Sequence, residues 1–144
     1  MTAARFLVED ESIRPVRSTR HSAGYDFIAP KSFTIGRGEK ILFDTGVKVE
    51  LEPGYVLLLF PRSSLGSNGL VLTNTVGVID ADYRDEIKAM LTNNNSYHSI
   101  HIDRGQKFMQ GVIVRHYFAE ESGNTHKTLA NNEEFPLPLL PDKY

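Results

Sequence analysis

Residues 69–86 read GLVLTNTVGVIDADYRDE. An apolar run, Leu70-Val71-Leu72, gives way to polar Thr73, Asn74 and Thr75. Apolar character returns at Val76, Val78 and Ile79, and Asp80, Asp82, Tyr83, Arg84, Asp85 and Glu86 follow in close succession. Two short apolar runs split by turn-forming residues predict two strands joined as a hairpin. With Asn74 on its first arm and Asp80 and Tyr83 on its second, such a hairpin can gather an amide, a carboxylate and an aromatic ring around one pocket. The plain alternative is a surface hairpin whose acidic tip is only solvated.

Before this stretch, Tyr55 to Phe60 (YVLLLF) is a continuous apolar run of buried-strand length, cut off by Pro61-Arg62-Ser63-Ser64-Leu65-Gly66. Further back, ILFDTGVKVEL at 41–51 alternates around Gly46, a bend or bulge. AGYDFIAPKSFTI alternates up to Ile35, and Ala4 to Val8 reads as an edge strand. After it, Ile87, Ala89 and Leu91 alternate in a strand, NNNS at 93–96 makes a loop, and SIHI at 99–102 is another strand. Lys107 to Phe118 completes the series as a long strand or a pair. Apolar residues never recur at helical spacing over ten or more positions, and only a turn or two after Ser64 is a helix candidate. Short strands punctuated by glycine and proline predict an all-β sandwich or barrel over residues 1–118. Residues 119–144, polar and then proline-rich, read as an extended arm.

The chain of 144 residues suits one domain with a sizeable core. Its 40% hydrophobic and 24% charged residues match a globular composition. A net charge of -2 argues against a protein whose main partner is a nucleic-acid backbone, although local arginines can still hold a small anion. The lack of cysteine excludes disulfides, thiolate zinc sites and a cysteine nucleophile. No apolar run approaches the ~20 residues of a membrane span, and MTAARFLVEDESIRPVR has no signal-peptide core. The expectation is a cytoplasmic protein, or one of the host cytoplasm if virus-encoded.

Arg62, Ser63, Ser64 and Gly66 place a guanidinium, two hydroxyls and exposed amides at one strand end, a credible phosphate cradle. The competing reading is an ordinary turn with a helix cap from Ser63 or Ser64. Asp80, at the end of an apolar run, can orient and deprotonate a water, or else cap a turn or pair with Arg84. Tyr83 beside it is a platform for a sugar or base, or core. The amide of Asn74 suits a nucleobase edge. Arg14, Arg17, Arg20 and His21 sit in RPVRSTRHSAG and read as a solvated loop rather than a phosphate-binding arm. His98 and His101 would point to opposite faces of a strand, a poor metal pair.

Taken in order, AGYDFIAP at 23–30, PRSSLG at 61–66, GVIDADYRDE at 77–86 and RGQKFMQGVI at 104–113 resemble the sequence motifs of the homotrimeric dUTP diphosphatases, the dUTPases. The match runs from about Ala23 to Val114. The resemblance implies a β-clip or jelly-roll-like distorted barrel, assembled as a trimer with active sites between subunits. It implies a hydrolase that converts dUTP to dUMP and pyrophosphate, with Asp80 activating the water that attacks the α-phosphorus. Tyr83 would sit under the deoxyribose, and Asn74 with the backbone of Gly77 and Val78 would read uracil. Arg62, Ser63, Ser64 and Gln110 would hold the phosphates, with Mg2+ carried by the nucleotide and no direct protein ligand. Asp26 would play a supporting, structural part.

The sequence departs from the pattern twice. Asp85 stands where the third motif has a glycine. LANNEEFPLPLLP replaces the family's arginine- and glycine-containing closing segment, which leaves Phe135 as the candidate lid residue. Two other readings stay open: a dCTP deaminase-type enzyme on the same fold, and a non-catalytic nucleotide-binding or regulatory protein.

Overall fold

The computed structural model describes residues 2–120. The expected arm, with Phe135, falls almost wholly outside them. The chain forms β1 (Ala4–Val8), a 3-10 turn (Glu11–Ile13), β2 (Tyr25–Ile28), β3 (Phe33–Ile35), β4 (Lys40–Asp44), β5 (Val47–Leu51) and β6 (Tyr55–Pro61). After the single helical turn α1 (Ser63–Gly66) come β7 (Leu70–Leu72), β8 (Gly77–Ile79), β9 (Lys88–Asn93), β10 (Ile100–Ile102) and β11 (Lys107–Arg115). The expected all-β architecture is what forms, and Lys107 to Arg115 is one long strand rather than a pair.

The strands join in four small antiparallel sheets, ordered β1-β5, β10-β3, β2-β11-β6-β8 and β4-β9-β7. Alternation determines which side chains face inward. In β5, Val47, Val49 and Leu51 are buried while Lys48 and Glu50 are exposed. Phe27, Ile35, Leu57, Leu91, Ile102 and Phe108 form the centre of one core. Within it Phe108 meets Phe33 and Phe43 edge-on, at centroid distances of 5.8 and 5.5 Å, a favoured aromatic geometry. At Gly46 the backbone takes a φ of 74°, and the chain turns from the sheet of β4 into that of β5.

The hairpin expected over 69–86 does not form as a paired ladder. Its arms are β7 and β8, joined through a turn in which Thr75 N donates to Leu72 O at 2.9 Å and Thr75 adopts a φ of 68°. β7 pairs with β9, and β8 pairs with β6. Packing explains the parting of the arms. Leu70 and Leu72 are buried against the β9 side of the core. Gly77 lets β8 lie close on β6, where a Cβ would come within 2.9 Å of Leu59 Cβ.

Asn93, read from sequence as the start of a loop, is the fully buried end of β9. Its amide nitrogen donates to Ile35 O at 3.0 Å and His98 O at 2.9 Å, and its amide oxygen accepts from Asn95 N at 2.8 Å. It thereby stitches β3, β9 and the following loop together. Asn93→Leu strands those backbone groups, and buried unsatisfied groups cost roughly 1–3 kcal/mol each. The expected result is a lower urea midpoint with little change in the m-value; an unchanged midpoint would show the network to be dispensable.

Candidate active site

Asp26 lies in the middle of the first of two groups of candidate residues. It sits on β2, only 6% exposed, and a carboxylate buried that deeply requires partners. Arg62 Nε reaches its Oδ1 at 3.1 Å, and Lys107 Nζ lies 3.6 Å from its Oδ2. The Ser18 hydroxyl also donates to Oδ2. One carboxylate thus ties together the loop before β2, the end of β6 and the start of β11.

The end of β6 owes its form to Pro61, after which a single helical turn begins. Arg62 is the N-cap residue of that turn and makes no side-chain capping bond. Neither serine supplies the cap that the competing reading of PRSSLG requires. Gln110, opposite Asp26 and Phe60 in the β11 ladders, donates from Nε2 to Pro61 O at 3.2 Å. Gly24 makes room for that side chain, since a Cβ there would lie 2.5 Å from Gln110 Oε1. Arg62, Ser63 and Gln110 line one cleft of about 370 Å³ together with Ser18, Ser22, Gly24 and Asp26. Ser64, grouped with them on sequence grounds, is exposed and is not among the lining residues. Sequence reasoning had set Asp26 aside as structural and did not select Ser18 or Lys107. The aspartate in AGYDF was the available signal for the first; the other two emerge only from the folded chain.

The second group lies along β8. Asp80 follows Ile79, which is paired with Leu57 near the start of β6. Arg62 is five residues beyond Leu57, about 16 Å away at ~3.3 Å per strand residue. Within one chain, then, the Asp80 carboxylate and the phosphate-cradle cleft occupy opposite ends of β6. The Asp80 side chain is exposed and has no hydrogen bond or ion pair among the described residues, and its backbone oxygen accepts from Tyr83 N at 3.1 Å. Tyr83 is half-buried, with its hydroxyl donating to Glu86 O at 2.7 Å, which fixes the ring. Arg84 donates to the backbone oxygens of Ala81 and Tyr83 rather than to Asp80. Asp85, the residue in place of a glycine, accepts from Glu86 N at 2.9 Å. Asn74 lies exposed in the turn between β7 and β8. β8 closes its sheet as an edge strand, so the backbone of Gly77 and Val78 is unpaired on its outer side.

Of the two histidines His98 and His101, the first lies in the loop before β10, and the second, on that strand, is engaged elsewhere. His101 bonds Thr34 Oγ1 at 2.7 Å through Nδ1 and Asp103 Oδ1 at 2.9 Å through Nε2. Among the described residues, no group of three or more His, Cys, Asp and Glu side chains gathers to hold a metal.

An all-β fold with an aspartate-anchored arginine cleft after one strand, and beside a strand edge a carboxylate unpartnered among the described residues, has the groups to hold a phosphate-bearing ligand. The family model described as dUTPase matches residues 10–136, and the chain belongs to the dUTPase family. It is 44% identical over 102 residues to the deoxyuridine 5'-triphosphate nucleotidohydrolase of Corynebacterium diphtheriae, covering 70% of this chain and 67% of that protein. Its fold matches that of the dUTPase from Streptococcus mutans with a TM-score of 0.73 at 34% identity, over 83% of this chain and 99% of the other. It also matches a dUTPase from phage phi11 of S. aureus with a TM-score of 0.77 at 25% identity, over 88% and 99% respectively; that structure reveals the coordination of a structural Mg(II) ion.

Proposed function

We propose that this protein hydrolyses dUTP to dUMP and pyrophosphate at sites assembled between the subunits of a homotrimer. The observation that carries the assignment is the contrast between two aspartates in a chain of this family. Asp26 is buried and neutralised by Arg62 and Lys107, so it is committed to structure. Asp80 is exposed and its carboxylate has no partner among the described residues, so it is available to a water.

In the proposed reaction, Asp80 orients a water and accepts its proton as the water oxygen bonds to the α-phosphorus. The bond from that phosphorus to the bridging oxygen of the β-phosphate breaks, and pyrophosphate leaves. Arg62, Ser63 and Gln110 grip the phosphate tail, and Ser64 adds a donor at the rim. The Tyr83 ring, held by its bond to Glu86, packs beneath the deoxyribose. Asn74 and the free outer edge of Gly77 and Val78 supply donors and acceptors to a uracil edge. Magnesium would come with the nucleotide, since no group of carboxylates or histidines among the described residues gathers to hold it. When bound, it neutralises phosphate charge.

The separation of Asp80 from Arg62 along β6 supports sites built from more than one copy, because one triphosphate must meet both groups. A pyrophosphate-coupled assay across the deoxynucleoside triphosphates tests the function. The expected result is equimolar dUMP and pyrophosphate from dUTP, lost on chelation of magnesium. Ammonia release from dCTP would point instead to a deaminase, and folded protein without product from any substrate would overturn the enzymatic reading.

A further inference from the structure

We propose that the basic loop Arg17–Ser22 forms the outer wall of the phosphate cleft and recruits the polyphosphate tail of the substrate through Arg17 and Arg20. The inference rests on reading that cleft as the phosphate site. The loop is closed at its base by paired backbone bonds, Val16 N to Asp26 O at 3.1 Å and Asp26 N to Val16 O at 2.7 Å. Internally, Ser22 N donates to Thr19 O at 3.3 Å and Thr19 N to Ser22 Oγ at 3.1 Å. Arg17 Nη1 donates to Arg20 O at 2.9 Å, which lays its guanidinium along the loop. Ser18 is tied to Asp26 and receives a bond from Lys107 Nζ at 3.1 Å. The loop is therefore fixed to the same carboxylate that holds Arg62. Its residues Ser18 and Ser22 line the cleft facing Arg62, Ser63 and Gln110.

Charge gives this wall its purpose. The chain carries a net charge of -2, which opposes the approach of a polyanion at long range. No acidic residue occurs between Glu11 and Asp26. Arg14 is paired with Glu11 at 2.6 Å, and its hydrogen bond to that carboxylate raises the guanidinium pKa further. Arg17 and Arg20 have no carboxylate partner among the described residues. Arg17 is next to the cleft-lining Ser18 in the chain, and Arg20 is two positions from both Ser18 and Ser22. Both therefore put uncompensated positive charge on the loop that walls the cleft, and such charge acts on an anion over about a Debye length, ~8 Å at physiological salt. Rim charges of this kind accelerate capture and make it salt-dependent.

The test compares Arg17→Gln/Arg20→Gln with the charge-matched control Arg37→Gln/Lys40→Gln, in the β3–β4 turn and at the start of β4. At low salt, kcat/KM for dUTP is expected to fall about tenfold in the loop variant and under about twofold in the control, with the difference shrinking at high salt. Equal losses in both variants, or a loss in the loop variant that salt does not relieve, would overturn the proposal. Because Arg17 also braces the loop, Arg20→Gln alone is measured too. It must show the same salt-relieved loss, at smaller size. Calorimetric binding of inorganic tripolyphosphate separates this proposal from the assigned reaction. If the wild type fails to hydrolyse dUTP, weaker tripolyphosphate binding by the loop variant at low salt upholds the loop's role, and equal binding refutes it.

Discussion

Asp80→Asn lowers kcat for pyrophosphate release from dUTP by roughly 10²–10⁴-fold, the usual worth of a positioned general base. The substitution keeps the size and hydrogen-bonding outline of the side chain and removes its capacity to take a proton. Structurally it should be silent, since the carboxylate has no partner among the described residues and leaves no ion pair broken. The unfolding midpoint is therefore expected to stay within experimental scatter of the wild type, and KM for dUTP to change little. The corresponding change in the buried carboxylate, Asp26→Asn, should behave in the opposite way. It deprives Arg62 and Lys107 of their shared counter-charge and so disturbs stability and KM together. Finding that Asp80→Asn retains most of its kcat, or that it destabilises the protein as Asp26→Asn does, would remove Asp80 from the role of base.

That contrast between the two aspartates was only half legible in the sequence. Periodicity located the strands, because alternation in VKVEL and the unbroken apolar run YVLLLF report directly on which faces are buried. It could not say which strand pairs with which. The arms of GLVLTNTVGVID look like a hairpin because they are close in sequence, yet β6 and β9 offer each arm a better partner than the other arm does. Short strands with inward leucines and valines have many compatible partners, and three-dimensional packing makes the choice. The same limit hid Ser18 and Lys107. They lie 89 positions apart, as the bond between them records, and nothing in their local composition hints that both attend Asp26. What the motifs did carry was chemistry at strand ends, where Arg62 and Asp80 follow β6 and β8, and on one interior strand, where Gln110 sits between Asp26 and Phe60.

Arg62→Ala lowers kcat/KM by roughly 10²–10³-fold, as expected for loss of a preorganised cation on a transferring phosphoryl group. It also leaves Asp26 with Lys107 as its only close cation among the described residues, so Arg62→Lys, which keeps a charge but loses the Nε contact, is needed beside it. A lysine that restores stability without restoring rate assigns the guanidinium fork to the substrate as well as to Asp26. The sharper consequence concerns where the site is built. If Asp80 and Arg62 act on one triphosphate from different subunits, then inactive Asp80→Asn and inactive Arg62→Ala chains, denatured together and refolded, complement each other. In a randomly mixed symmetric trimer about a quarter of the sites join an intact Asp80 from one chain to an intact Arg62 from another. Activity should therefore climb to about that fraction of wild type, far above the sum of the two separate variants. A site contained within a single chain gives no such rescue, because no chain in the mixture carries both groups, and a mixture as inactive as its components would return the search for the catalytic partner of Arg62 to its own subunit.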